Sequence, residues 1–576
     1  MSASVPSSPV AGRARFGELY LPKLVTVLRE GYGWDALRAD AMSGLTVAIV
    51  ALPLSMAIAI ASGTSPDRGL FTAIVGGFLV SALGGSRFQI GGPAGAFIVL
   101  VASAVDRHGI EGVVLATAMA GLFLMAAGLL RLGTFIKFIP YPVTVGFTSG
   151  IAVIIFASQI KELLGLTLPG KEPGPIVPKV EALAHVIGTI NPWAVALAVA
   201  AIAVIAGTRR FRPHWPGMLI AVVVAGAATW AFGLPVETIG TRFGGIPSVL
   251  PSPAIPALSL AKVEAVLPDA LAFALLGAIE SLLSAVVADG MTGRRHRSNS
   301  ELLGQGVANI GASLFGGIPV TGTIARTATN VRSGARGPVA GMLHALFLLL
   351  FMVLAAPLAS YIPLAALAGV LAVVAWNMAE KEEFAVLLRA SRGDAVVLLT
   401  TFLLTVFRDL SEGIIVGFAL GAVLFIRRMA GATGIEAQAP LVASDRPDDV
   451  APRPPYDPAV ATDDQVVVYR LSGAFFFGTA SLLNAVLDRI ADRHKALVID
   501  FSSVPFVDST AANVIAAIAR KAGRHAVRVY FTGTTAAVRR TLLLAGARRP
   551  AVRYRRLIED AVAEAHAVPE EGPARV

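Results

Sequence analysis

From residue 41 to residue 429, apolar runs long enough to cross a bilayer recur between short polar breaks, and this pattern limits the possible folds more than any other feature. Fourteen runs can be counted, at 41–62, 69–84, 90–106, 111–130, 142–164, 192–207, 215–233, 268–289, 301–316, 319–331, 338–359, 362–379, 394–408 and 411–426. Only 15% of the 576 residues are charged. A soluble chain would carry about a quarter. The reading is an α-helical polytopic membrane protein.

Loop charges give the run count an independent check. With the N-terminus in the cytoplasm, every second loop is basic: Arg87, then Arg131 and Lys137, then Arg209, Arg210 and Arg212. Arg294, Arg295 and Arg297 follow, then Arg332 and Arg336, then Arg389 and Arg392, and Arg427 and Arg428 at the last exit. The net charge of +10 is therefore assigned to cytoplasmic loops and not to a nucleic-acid partner. With no cysteine there is no disulfide, thiolate metal site or cysteine nucleophile. The first 40 residues hold no apolar core of signal-peptide length. No phosphate loop, metal-ligand cluster or catalytic triad stands out, so no cofactor, metal or enzyme activity is expected.

The chain divides into an N-terminal cytoplasmic segment (1–40), a membrane domain (41–429), a Pro/Asp-rich linker (430–463), a soluble α/β domain (464–566) and a disordered tail (567–576). In the soluble domain QVVVYRLSG, KALVIDFS and AVRVYFTG read as strands, while TASLLNAVLDRIADR (479–493) and STAANVIAAIARKAG (509–523) have helical periodicity.

The membrane domain contains a faint repeat. Ala51, Ala61 and Gly63 match Ala278, Ala288 and Gly290 at an offset of 227 residues, and Gly91, Pro93 and Ile98 match Gly317, Pro319 and Ile324 at 226. The offset spans seven runs, an odd number, so the second copy enters from the opposite side. Runs 3 and 10 are too short for complete spans, and each opens with Gly-x-Pro. They are expected to be extended in one half of the membrane and helical in the other, with Pro in the first helical turn. Two helix N-termini would then meet near the midplane and form an anion site. Simple kinks at these positions are the alternative.

Glu280 lies inside run 8, in GAIESLLSAVV. Gly277, Glu280, Ser281 and Ser284 share one helix face. An intramembrane carboxyl is costly and usually functional. It could carry a proton beside an anion, bind sodium with Ser284 assisting, or bond neighbouring helices; proton coupling is preferred. Arg326 falls one turn into the tenth run and would supply positive charge to the anion, or else extend to the cytoplasmic surface. Thr321 and Thr323 could offer hydroxyls or backbone N–H groups. The candidate substrate site is Ser55, Pro93, Ala94, Gly95, Ala96, Thr321, Gly322, Thr323 and Arg326.

ALPLSMAIAIASG, SRFQIGGPAGAFIVL, GAIESLLSAVVADGMTG and IPVTGTIARTATNVRSGA resemble the SulP anion transporters, and LVIDFSSVPFVDSTAANVI is similar to a STAS domain. The resemblance covers about residues 15 to 566. It implies fourteen spans as a 7+7 inverted repeat. A core (spans 1–4 and 8–11) would move against a gate (spans 5–7 and 12–14) in an elevator-like cycle. It also implies a homodimer in the bacterial inner membrane with both termini cytoplasmic, in contact with membrane lipid, and a STAS domain able to meet a cytoplasmic regulatory protein. Pro53-Leu54 replaces the Pro-Gln of many sulfate-type members, and LPLSMA looks closer to the bacterial branch that takes up four-carbon dicarboxylates; a sulfate or sodium-coupled bicarbonate transporter of the same family, or an anion channel, is the alternative. Ser509 follows Asp508 as a phosphorylated serine does in related domains; a plain helix N-cap is the preferred reading.

Overall fold

The computed structural model describes residues 20–567 except 135–139, 171, 213–214, 409, 433–465, 474, 476–494 and 525–526. Residues 1–19 of the N-terminal segment, nearly all of the linker, the expected helix at 479–493 and all but the first residue of the C-terminal tail lie outside the described residues. The chain forms two compact units, one of residues 1–137, 148–379 and 403–411, the other of 138–147, 380–402 and 412–576.

Every one of the fourteen apolar runs has a helical counterpart, and among the described residues seven helices are long and apolar enough to cross a membrane by themselves. In the first unit the elements that matter here are α1 (Trp34–Ala61), β1 (Gly91–Gly92), α2 (Ile98–Leu129), α3 (Leu260–Thr292), α4 (Ser298–Leu314), β2 (Thr321–Gly322), α5 (Ile324–Arg332) and α6 (Val339–Ala359). Runs 3 and 4 are joined into one element, α2. The break expected between them narrows to Gly109, whose φ of 67° suits glycine.

Both segments predicted to be broken are broken. Residues 91–92 and 321–322 pair as a two-stranded antiparallel sheet, Gly91 opposite Gly322 and Gly92 opposite Thr321. A single turn of 3-10 helix (Gly95–Phe97) leads into α2 at Ile98, and α5 begins at Ile324. These two helix starts are the pair the repeat offset put in register. Neither proline occupies the first helical turn, contrary to expectation. Pro93 precedes the N-cap Ala94, and Pro319 lies in extended backbone before β2. Proline suits that place because it brings no N–H that needs a partner at membrane depth.

In the second unit the soluble domain is built on four parallel strands in the order β3 (Val466–Ser472), β4 (Ala496–Ser503), β5 (Arg528–Thr532), β6 (Arg553–Tyr554). The helix α7 (Ser509–Arg524) packs Ile515, Ile518 and Ala519 against Phe501 and Phe531, whose rings meet edge to face at 5.2 Å. The α/β reading of this domain matches its sheet.

Candidate functional site

At membrane depth an interrupted helix must find partners for the backbone groups it frees. Here side chains supply many of them. The Ile90 N–H donates to Thr327 Oγ1 (3.1 Å), and Asn330 Nδ2 donates to the Phe88 carbonyl (2.8 Å). The Thr323 N–H closes onto the Ile90 carbonyl (3.0 Å). From α3, Ser281 donates to Thr321 Oγ1 (2.8 Å) and accepts from the Gly322 N–H (3.1 Å), while Thr321 donates to the Gly277 carbonyl (3.1 Å). Ser284 donates to Thr327 (3.0 Å).

This network corrects part of the sequence expectation. The hydroxyls of Thr321 and Thr323 are engaged inside the protein, Thr323 with the Ile90 carbonyl at 3.4 Å, and so are the N–H groups of Gly322 and Thr323. The groups left for a ligand sit further along, in the first turns beginning at Gly95 and Ile324. No side chain caps either helix N-terminus.

Arg326, the third residue of α5, stands in that gap, within the first turn that begins at Ile324. It is 2% exposed. Its Nη2 donates to Ser55 Oγ (3.1 Å) and to the Pro93 carbonyl (3.3 Å), while Nε and Nη1 have no partner among the described residues. The surface-snorkelling alternative is therefore excluded. One guanidinium joins α1, the segment after β1, and α5. Gly92 makes room for it: a Cβ there would fall 2.0 Å from Arg326 Nη1. Ala94 and Ala96 are buried beside this turn and offer backbone only. A buried cation with two free donors, next to two uncapped N-termini, is suited to an anion.

Glu280 is part-buried on α3 and has no hydrogen-bond or ion-pair partner among the described residues. The reading in which it bonds neighbouring helices therefore has no bond to support it. Its neighbour Ser284 is buried and tied to Thr327.

Several residues of this region were not singled out by the sequence. Glu301, Gln89 and Asn309 are buried polar groups on or against α4. His344 of α6 is fully buried. The available signal was polar residues inside apolar runs, which does not say what they face. A hydrogen-bonded chain from Ser298 through His296 to Asp289 (3.0 and 2.6 Å) also forms, although no triad was expected. It links the end of α3 to the start of α4.

In the second unit Ser509 is not the cap of α7. Asp508 is: its carboxylate accepts the Ala511 N–H at 2.7 Å. The Ser509 hydroxyl instead donates to Asp394 Oδ2 at 2.9 Å.

Discontinuous helices meeting at a buried cation, in a many-helix membrane domain followed by a STAS-like α/β domain, define a membrane anion transporter. The chain belongs to the sulfate permease family: the model of that family matches residues 37–401, and that of the STAS domain matches 457–565. It is a transporter and not an enzyme. It is 40% identical over 509 residues to the putative sulfate transporter YvdB of Bacillus subtilis, covering 88% of this chain and 93% of that one. It is 31% identical over 530 residues to the bicarbonate transporter BicA of Picosynechococcus, covering 88% and 90%. Among solved structures, the transmembrane domain of a cyanobacterial BicA superposes with a TM-score of 0.60 at 32% identity, over 66% of this chain and 98% of that one. Murine Solute Carrier 26 family member A9 in its inward-facing state gives 0.67 at 19% identity, over 98% and 97%, a likeness of fold.

Proposed function

We propose that this protein is a secondary active carrier that takes up a small carboxylate, of the four-carbon dicarboxylate kind, together with a proton. The observation that carries the reading is Arg326, buried with two free donors between the two uncapped helix starts. Ser55, Pro93, Ala94, Gly95 and Ala96 form one wall of the anion site, and Thr321, Gly322 and Thr323 hold the other in place. Glu280, unpartnered on the adjoining helix, takes up the proton, and Ser284 supports that helix face. The core of spans 1–4 and 8–11 carries the site past a gate of spans 5–7 and 12–14. The protein works as a homodimer in the bacterial inner membrane, with both termini cytoplasmic. The STAS domain, with Ser509 bonded to Asp394, regulates transport and does not bind the substrate.

A second reading is sulfate transport, or bicarbonate transport driven by sodium at Glu280; it is favoured by the names of the relatives, a putative sulfate transporter and a bicarbonate transporter. Reconstitution in liposomes separates the two. Labelled succinate, sulfate and bicarbonate are offered under an imposed proton or sodium gradient. The first reading expects saturable succinate uptake driven by an inward proton gradient. Uptake confined to sulfate or bicarbonate, or driven by sodium, selects the second.

A further inference from the structure

We infer that Glu301, Gln305 and Asn309 of α4 are positioning residues that hold both broken segments in the register the anion site requires. The inference rests on the reading that the anion binds beside Arg326. The three residues stand four apart, on one helix face. All are within 1% of full burial. At one end Glu301 Oε2 accepts the N–H groups of Gly85 (2.7 Å) and Ser86 (2.9 Å), on the approach to β1. Its Oε1 accepts from Gln89 Nε2 (2.9 Å) and Gln305 Nε2 (3.2 Å). At the other end Asn309 clamps one residue from both sides. Its Oδ1 accepts the Val320 N–H (3.0 Å), and its Nδ2 donates to the Val320 carbonyl (2.8 Å) and to the Gln305 carbonyl (2.8 Å).

Val320 immediately precedes β2, and Gln89 nearly precedes β1. Gln89 also packs on the opposite strand: a Cβ on Gly322 would fall 1.8 Å from its Nε2. The row therefore begins on one broken segment and ends on the other. The contact of Arg326 with the Pro93 carbonyl crosses the same pair of segments. If the strands slip, the guanidinium leaves its place between the helix starts. None of the three residues touches Arg326, so their effect on the anion passes through backbone position. Ordinary core polar groups would instead stabilise the fold and leave the affinity of each folded molecule alone.

The test compares Asn309→Ala, Glu301→Gln and Arg326→Gln in full-length protein in liposomes. Labelled succinate, sulfate and bicarbonate serve as probes, and the anion carried by the unsubstituted protein is read. KM and maximal rate are taken per folded molecule, beside the melting temperature. The loss of a buried partner predicts that KM rises about tenfold in Asn309→Ala and in Glu301→Gln. The melting temperature should change little in at least one of them. If Asn309→Ala does not fold, Glu301→Gln decides alone. An unchanged KM in the folded variants, with KM raised in Arg326→Gln, overturns the positioning role and leaves the anion site standing. An unchanged KM in Arg326→Gln as well overturns the site and the positioning role together.

Discussion

Arg326→Gln is expected to weaken anion binding by about 3 kcal/mol, roughly a hundredfold in affinity. Glutamine is shorter, keeps two N–H donors and removes the charge. The loss is large because the guanidinium is nearly fully buried and two of its nitrogens have no protein partner. In such surroundings a hydrogen bond to a charged group is worth more than a neutral one. Arg326→Lys should recover part of the affinity, since the charge remains while the planar set of donors, with Nη2 on Ser55 and Pro93 and Nε and Nη1 open to the anion, is lost. Equilibrium binding of the transported anion to detergent-solubilised protein is the measurement. Affinity within twofold of the unsubstituted protein in Arg326→Gln would remove this residue from the site.

Glu280→Gln should abolish accumulation driven by a proton gradient while leaving anion exchange in place. Glutamine is close in shape and cannot release a proton. Glu280 has no partner among the described residues, so the substitution leaves no cation stranded. Two assays separate the functions. Uptake under an imposed pH gradient reads coupling, and counterflow of labelled against unlabelled anion reads the carrier cycle. Coupling should fall to the level of protein-free liposomes, with counterflow near normal. Uptake that still follows the pH gradient would exclude Glu280 as the proton carrier. Loss of both assays would assign it to the anion site itself.

The parts of this molecule that were legible in the sequence are those set by local pattern. Apolar runs of spanning length marked the helices. A repeat of few identities put Ile98 and Ile324 in register, and both begin helices beside the paired strands. Arg326 followed from its place in the first turn after that start. What was not legible depends on contacts between distant segments. The sequence offered the hydroxyls of Thr321 and Thr323 to a ligand, but α3 and the Ile90 carbonyl claim them first. Glu301 and Asn309 were not singled out by the sequence, because their partners lie 215 residues and 11 residues away. Asp508 and Ser509 are both good caps, and only the backbone shows that the helix starts one residue earlier than the cap reading of Ser509 required. Proline was read from its role in helix starts, whereas Pro319 serves extended backbone.

The central claim is that the anion lies between the two helix starts, against Arg326. The most direct measurement is an experimental structure of the protein saturated with the anion it transports. The account predicts ligand density within hydrogen-bond distance of the Arg326 guanidinium, facing the first turns at Gly95 and Ile324. A well-occupied anion elsewhere, with Arg326 still bonded only to Ser55 and Pro93, would contradict it.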